Sequence, residues 1–151
     1  MSQKIELKRA TLEDIDDILA IEKNLDGTKI YSAMTDKKDV AEEVTDHFFY
    51  VIKQNGEVVG DVSYEMKDEH HVYLSGLAIM PQFQGKGIAR QAIKMILEKL
   101  KDVELIDLMT HPENEKAINL YSSLGFKKTG EKYQNYFGDG EPRIKMVLER
   151  E

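Results

Sequence analysis

Val72-Tyr73-Leu74-Ser75-Gly76-Leu77-Ala78-Ile79-Met80 is followed, after Pro81, by Gln84-Gly85-Lys86-Gly87-Ile88-Ala89, and the fold turns on how these two segments join. In the first, Val72 and Leu74 share one face, and Leu77 and Ile79 share one face, but the step between the pairs is three residues. A strand repeats every two, so all four stay on one side only if a residue is inserted. Gly76 stands at the slip, which predicts a β-bulge. The alternative is a strand buried on both sides, with Leu77 and Ile79 facing another layer of core. A bulge would release backbone N–H and C=O groups from the ladder, where a ligand can use them.

In the second segment, small residues at 85, 87 and 89 let a ligand approach the backbone closely. The helix predicted to follow offers unpaired N–H groups and a positive dipole end. Together these form a pyrophosphate cradle, although such a loop is equally a tight strand-to-helix turn. It is not a Walker loop, because Gly87 rather than Ser or Thr follows Lys86. It is not a dinucleotide fingerprint either, because Arg90 holds the third glycine position. The helix runs to about Leu100, with Ile88, Ala92, Ile96 and Leu100 in one i,i+4 row and Ala89, Ile93 and Leu97 in the next.

Working outward, Ile5 and Leu7 alternate with polar residues as a first strand. Thr11 opens a helix with Asp14 as the partner of a capping box, and Leu12, Ile15, Ile18, Leu19 and Glu22 continue at helical spacing. A weaker helix is expected over 37–46. Residues 48–52 form a strand, and Asn55-Gly56 turns it into a partner strand over 57–64. A polar turn at 67–69 precedes the irregular strand. Beyond the central helix come a short strand at 105–109 and a helix over 112–124 stopped by Gly125. Two final strands, 127–136 and 143–149, are joined across Gly138-Asp139-Gly140. The expected fold is α/β or α+β, a mixed sheet with helices, as a single domain over 1–151.

Composition narrows the function. With 151 residues, 41% hydrophobic and 32% charged, the chain reads as a globular domain with a real core. No apolar run approaches the roughly 18 residues of a membrane span, and residues 1–9 do not read as a signal peptide. The absence of cysteine excludes disulfides, thiolate metal sites and a cysteine nucleophile, and fits a cytoplasmic location. A net charge of -7 opposes nucleic-acid binding and suits a cationic partner. Neither the His70-His71 pair, which fits a solvated turn, nor His47 and His111 have partners at ligand spacing, so no metal is expected.

Leu77-Ala78-Ile79-Met80-Pro81 followed by Gln84-x-x-Gly87-x-Ala89 resembles the signature of the GNAT superfamily of N-acetyltransferases. Downstream, Asn114-x-x-Ala117-x-x-Leu120-Tyr121-x-x-x-Gly125-Phe126 is similar to that superfamily's other cofactor motif. The resemblance covers about residues 48–149, and residues 5–25 fit the family's first strand and helix. It implies a central sheet splayed at the bulged strand, acetyl-CoA lying in the splay, and direct acetyl transfer to a primary amine by a monomer or homodimer. It further implies that Gln84 and the amides of Gly85, Gly87 and Ala89 hold the pyrophosphate. Lys86 and Arg90 would add positive charge or simply be solvated. The backbone of Leu77 and Ile79 would pair with the pantetheine arm like an added strand. Asn114 would contact that arm or serve only as a helix cap. Tyr121 would be the acid that protonates the departing thiolate, or a packing residue.

The resemblance fails at the proton acceptor. Many family members carry a glutamate on the bulged strand, where this chain has Tyr73 and, beyond it, Ser75. Glu65, Tyr73, His70, His71 or a chain of waters remain as acceptors for an amine whose pKa is about 10. The gap also leaves open a CoA-binding sensor or interaction domain without catalysis, although Tyr121 favours the enzyme. Residues 133–141 resemble the C-terminal segment of peptide N-terminal acetyltransferases, including those of ribosomal proteins, which implies that Tyr133 and Tyr136 line an acceptor groove. A plain hairpin with packed tyrosines is the alternative. A peptide N-terminus stands slightly ahead of a small amine as acceptor.

Overall fold

The computed structural model describes residues 4–150. Chain order is β1 (Ile5–Arg9), a 3-10 turn (Leu12–Asp14), α1 (Ile15–Lys23), α2 (Lys37–Asp46), β2 (Phe48–Gln54), β3 (Glu57–Asp68) and β4 (His71–Ile79). A 3-10 turn (Pro81–Phe83) then leads to α3 (Ile88–Lys99), β5 (Leu105–Thr110), α4 (Glu115–Ser123), β6 (Lys127–Tyr133) and β7 (Arg143–Glu149). The described strands form one seven-stranded sheet in the order β1-β2-β3-β4-β5-β7-β6. All neighbours are antiparallel except β4 and β5. This is the mixed α/β sheet expected from the sequence.

The bulge is present, one residue before the expected glycine. Gly76 pairs with Ser63 and Leu74 with Tyr64, which leaves Ser75 as the extra residue. Val72, Leu74, Leu77 and Ile79 consequently all meet the same core, under the Ile88, Ala92, Ile93 and Ile96 face of α3. The two-sided burial of this strand is thereby set aside. Tyr121, Leu120 and Phe126 extend that core from α4. On the opposite face α1 and α2 pack Ile15, Ile18, Val40 and Val44 on Phe49 and Val51. The two helix layers follow from β2, which is apolar at every position from 48 to 52 and so must be covered on both sides.

The capping box forms as read: Thr11 N donates to Asp14 Oδ2 at 2.8 Å and Thr11 Oγ1 accepts from Glu13 N at 3.3 Å. Three boundaries around the site differ from expectation. β3 runs to Asp68, pairing with β4 as far as His71. α4 begins at Glu115, because Asn114 Oδ1 caps it by accepting from Ala117 N at 3.2 Å. β6 ends at Tyr133 rather than Tyr136. Asn135 adopts φ 54° and its Oδ1 accepts from Gly140 N at 2.6 Å, which closes a loop where the strand would have continued.

A second bulge lies between β2 and β3, next to a close fit of β3 on β4. Ile52 pairs with Gly60 and Lys53 with Val58, so Val59 is inserted. A Cβ at Gly60 would stand 2.3 Å from the Ala78 carbonyl oxygen, so only glycine fits there.

Candidate active site

Residues 71–74 of β4 pair with 105–108 of β5, and there the ladder stops. β5 continues with β7 to Thr110, while β4 departs at the Ser75 bulge. The two parallel strands therefore part as a wedge, and β4 beyond Leu74 presents an edge with no partner strand. Its walls are Ser75, Gly76 and Leu77 on one side and Leu108, Met109 and Thr110 on the other, and α4 closes it with Asn114, Ala117 and Tyr121.

The β4–α3 turn sits at the open end of β4. Gly85 has φ 77° and Gly87 φ 81°, conformations that L side chains rarely adopt, and a Cβ on either would meet nothing within 4 Å. The glycines thus serve the turn and at the same time leave its outer surface clear. Gly87 is the N-cap of α3 and supplies no side-chain cap, so the first-turn N–H groups there lack a side-chain partner. The Gln84 side chain turns back on the strand: its Nε2 donates to the Ile79 carbonyl at 2.9 Å, tying the turn to the end of β4. Lys86 is exposed, its Nζ 5.8 Å from the Phe83 ring centroid. Arg90 donates to Ser123 Oγ at 2.5 Å and so joins α3 to α4. Ala89 packs against the core.

Tyr121 is buried edge-on against Phe126, with ring centroids 5.4 Å apart, and borders the wedge. Burial raises its phenol well above the usual tyrosine range, so the hydroxyl is protonated at neutral pH. The Asn114 side-chain oxygen is committed to the cap of α4, while the residue also borders the wedge.

A second hollow opens on the α1–α2 face of the same bulge, and Tyr31, Ser32, Ser75, Gly76 and Phe137 border both. Glu65 and Tyr73 lie in it. Glu65 Oε1 accepts from Lys67 Nζ at 3.2 Å. The Tyr73 hydroxyl is raised well above the usual range by burial first, then by Tyr136, with which it hydrogen-bonds. Tyr133 and Tyr136 are half exposed, 5.8 Å apart by centroid, and Tyr136 leads on to Phe137 at 4.9 Å. The remaining histidine candidates face elsewhere: His71 Nε2 lies 2.9 Å from Asp107 Oδ2, and His70 lies between Glu69 and Glu104.

Sequence reasoning missed the floor of this hollow. Glu22 and Asp61 are each 1% exposed and border it. The Tyr31 hydroxyl donates across both Glu22 oxygens, at 3.0 and 2.9 Å, and Met34 N donates to Glu22 Oε1 at 3.1 Å. Asp61 lies within hydrogen-bonding reach of Glu22, and its Oδ2 has no donor. Burial, then the Glu22 charge, lift the Asp61 carboxyl well above the usual carboxylate range. A signal was present: Glu22 continues the i,i+4 row of Ile18 on the buried face of α1, and Asp61 interrupts the apolar run of β3.

Comparison with known proteins agrees with this geometry. The Acetyltransferase (GNAT) family profile matches residues 12–126, and the chain belongs to that family. It is 33% identical over 107 residues to the spermidine N(1)-acetyltransferase of Escherichia coli K12, a match covering 66% of this chain and 56% of that protein. It thus spans about half the length of that curated relative. Among solved structures, the ribosomal-protein-S18-alanine N-acetyltransferase of Escherichia coli superposes with a TM-score of 0.80 at 21% identity, covering 97% of this chain and 94% of that one. A GNAT family acetyltransferase from Elizabethkingia anophelis with acetyl-CoA bound gives 0.74 at 20% identity, with 97% of each chain covered. These structures share the fold.

Proposed function

We propose that the chain is an acetyl-CoA-dependent N-acetyltransferase acting directly on a primary amine. The observation that carries this reading is the wedge. An unpaired strand edge leads through a short turn to an uncapped helix start, and a protonated tyrosine borders the cleft. The residues suit the donor, because both turn glycines leave open space where any side chain would intrude. When bound, acetyl-CoA supplies a thioester carbonyl that the amine attacks, so that an N–C bond forms and the C–S bond breaks.

The amides of Gly85, Gly87 and Ala89 hold the pyrophosphate at the start of α3, with Lys86 and Arg90 adding positive charge. Gln84 contributes by bracing this turn on Ile79. The open edge at Leu77 and Ile79 pairs with the pantetheine arm, and the Asn114 NH2 is the group left to reach it. Tyr121, protonated at neutral pH, is the group placed to donate its O–H to the departing thiolate sulfur. The wedge and the hollow meet at Ser75, which brings amine and thioester together there. A Tyr73 hydroxyl that stays protonated orients the acceptor and does not take its proton. Glu65, directly or through a chain of waters, is then left to accept it. Tyr133 and Tyr136 line the rim of the acceptor side, which admits a peptide N-terminus or a small amine. The spermidine-acetylating relative and the S18-like fold stand for one class each.

An assay for free CoA thiol with acetyl-CoA and a panel of peptides with free and blocked N-termini, polyamines and aminoglycosides tests the proposal. Thiol release with at least one free amine and none with blocked peptides is expected. Acetyl-CoA that stabilises the protein without any turnover would mark it instead as a CoA-binding sensor.

A further inference from the structure

The hollow on the α1–α2 face is lined by five carboxyl groups: Glu22 from α1, Asp39 and Glu43 from α2, and Asp61 and Glu65 from β3. Among the described residues no lysine, arginine or histidine lines it; the other titratable groups there are the hydroxyls of Tyr31 and Tyr73. Acidic residues on a surface repel one another weakly and need no ligand. Glu22 and Asp61 are different, because both are buried and adjacent, and Asp61 Oδ2 has no donor among the described residues. Two buried carboxyl groups face to face require one positive charge between them. A proton supplies it when the hollow is empty. An ammonium group supplies the same charge with three donors, at no change in net charge of the buried site.

Resting on the acetyltransferase reading above, we infer that the acceptor is a small aliphatic diamine or polyamine. Its distal ammonium group lies between Glu22 and Asp61, while its other amino group reaches the bulge at Ser75. β3 sets the spacing. Asp61 pairs with Ala78 and Ser63 with Gly76, so the acid pair and the bulge are two residues apart along the strand. Ser63 Oγ also contacts Ser75 Oγ at 3.0 Å, which makes that pair of hydroxyls the far marker of the span. Two strand residues cover roughly 7 Å, a separation of amines that about four or five methylenes supply. The outer carboxylates of Asp39, Glu43 and Glu65 draw the dication in and suit a third amine. A peptide N-terminus carries no such distal charge on its backbone and would leave the acid pair holding its proton.

The exchange of a proton for an ammonium group is measurable. Calorimetric titration of 1,4-diaminobutane into the protein with CoA present, in two buffers of different ionisation enthalpy at neutral pH, counts the protons released. Wild type is expected to release about one more proton per bound diamine than Asp61→Asn, and to bind it at least tenfold more tightly than either Asp61→Asn or n-butylamine binds wild type. Glu22→Gln provides a second variant, and thermal melts confirm that both fold. Equal affinity for butylamine, or an unaltered proton count and affinity in both variants, overturns the assignment. The assay for CoA thiol separates the two levels. Diamine binding with these signatures but no thiol release from acetyl-CoA keeps the cation site and rejects the acetyltransferase. Thiol release with peptides or monoamines, undiminished in Asp61→Asn, keeps the enzyme and rejects the diamine.

Discussion

The two hollows that meet at Ser75 are built from different materials. The wedge between β4 and β5 is made of main chain: a bulge, an unpaired edge, two glycines at positive φ and a helix start. The hollow under α1 and α2 is made of side chains from both helices, the strands beneath them and the loops, five of them carboxyls. A main-chain site recognises what one ligand always has, such as a pyrophosphate or an amide-bearing arm. A side-chain site can be re-cut for each acceptor without disturbing the sheet. The split assigns the constant half of a reaction to backbone and the variable half to side chains.

Perturbing each half separately tests that division. The largest effect is expected where the halves meet the reacting atoms. Tyr121→Phe should lower kcat by about 10- to 1000-fold with acetyl-CoA affinity little changed, as steady-state kinetics and a binding titration will report. A kcat near wild type would make Tyr121 a packing residue of the wall.

On the main-chain side, acetyl-CoA at about 100 times Kd should stabilise the native fold by roughly 2.7 kcal/mol. Gly87→Val should remove that shift. Its Cβ meets no protein atom, so beyond the strain of φ 81° any loss falls on the ligand. Thermal melts with and without acetyl-CoA check this, and an undiminished shift would show that the turn is not the cradle.

On the side-chain side, the prediction concerns pH. The folded Asp61 carboxyl titrates well above the ordinary aspartate value of 3.8, so above that value the native state binds more protons than the unfolded chain. Stability contributed by this group is complete below pH 3.8 and is lost as pH rises toward and through the folded value. Asp61→Asn carries no such proton. Its melting temperature relative to wild type should therefore climb from acid to alkaline pH, with acetyl-CoA absent throughout. A constant difference across that range would mean that Asp61 is not held protonated.

The smallest effect is expected at the rim. Tyr136 is 46% exposed, and Tyr136→Ala should raise the acceptor KM a few-fold while leaving acetyl-CoA affinity alone. An effect on acetyl-CoA affinity instead would join the rim to the wedge and blur the division.

The same contrast explains what could be read from the sequence. The wedge was legible because its parts are local. A three-residue step in an apolar alternation announces the bulge, although it points to Gly76 and the inserted residue is Ser75. Gln84 to Ala89 is contiguous, and Asn114 to Tyr121 spans two turns of one helix. The hollow was not legible because Glu22 and Asp61 are 39 positions apart in the chain. Glu22 falls on the apolar row of α1 and Asp61 within the apolar run of β3, but only the packing of α1 on β3 brings the two together. Asn135 illustrates a smaller failure, since its left-handed turn ends β6 early and no apolar pattern marks it.

The shortness of the β4–β5 ladder reaches beyond ligand binding. Four residue pairs, 71–74 with 105–108, are the backbone link between a β1-β2-β3-β4 unit and a β5-β7-β6 unit. Amide hydrogen exchange should treat them as neighbours with separate fates. Each antiparallel unit is protected by long ladders of its own, whereas the seam can open without either unit unfolding. The protein then has a built-in line of sub-global opening that runs straight into its cleft. A ligand bridging the two units would slow exchange most at the seam, because it ties β4 to β5 just beyond the last pair of the ladder.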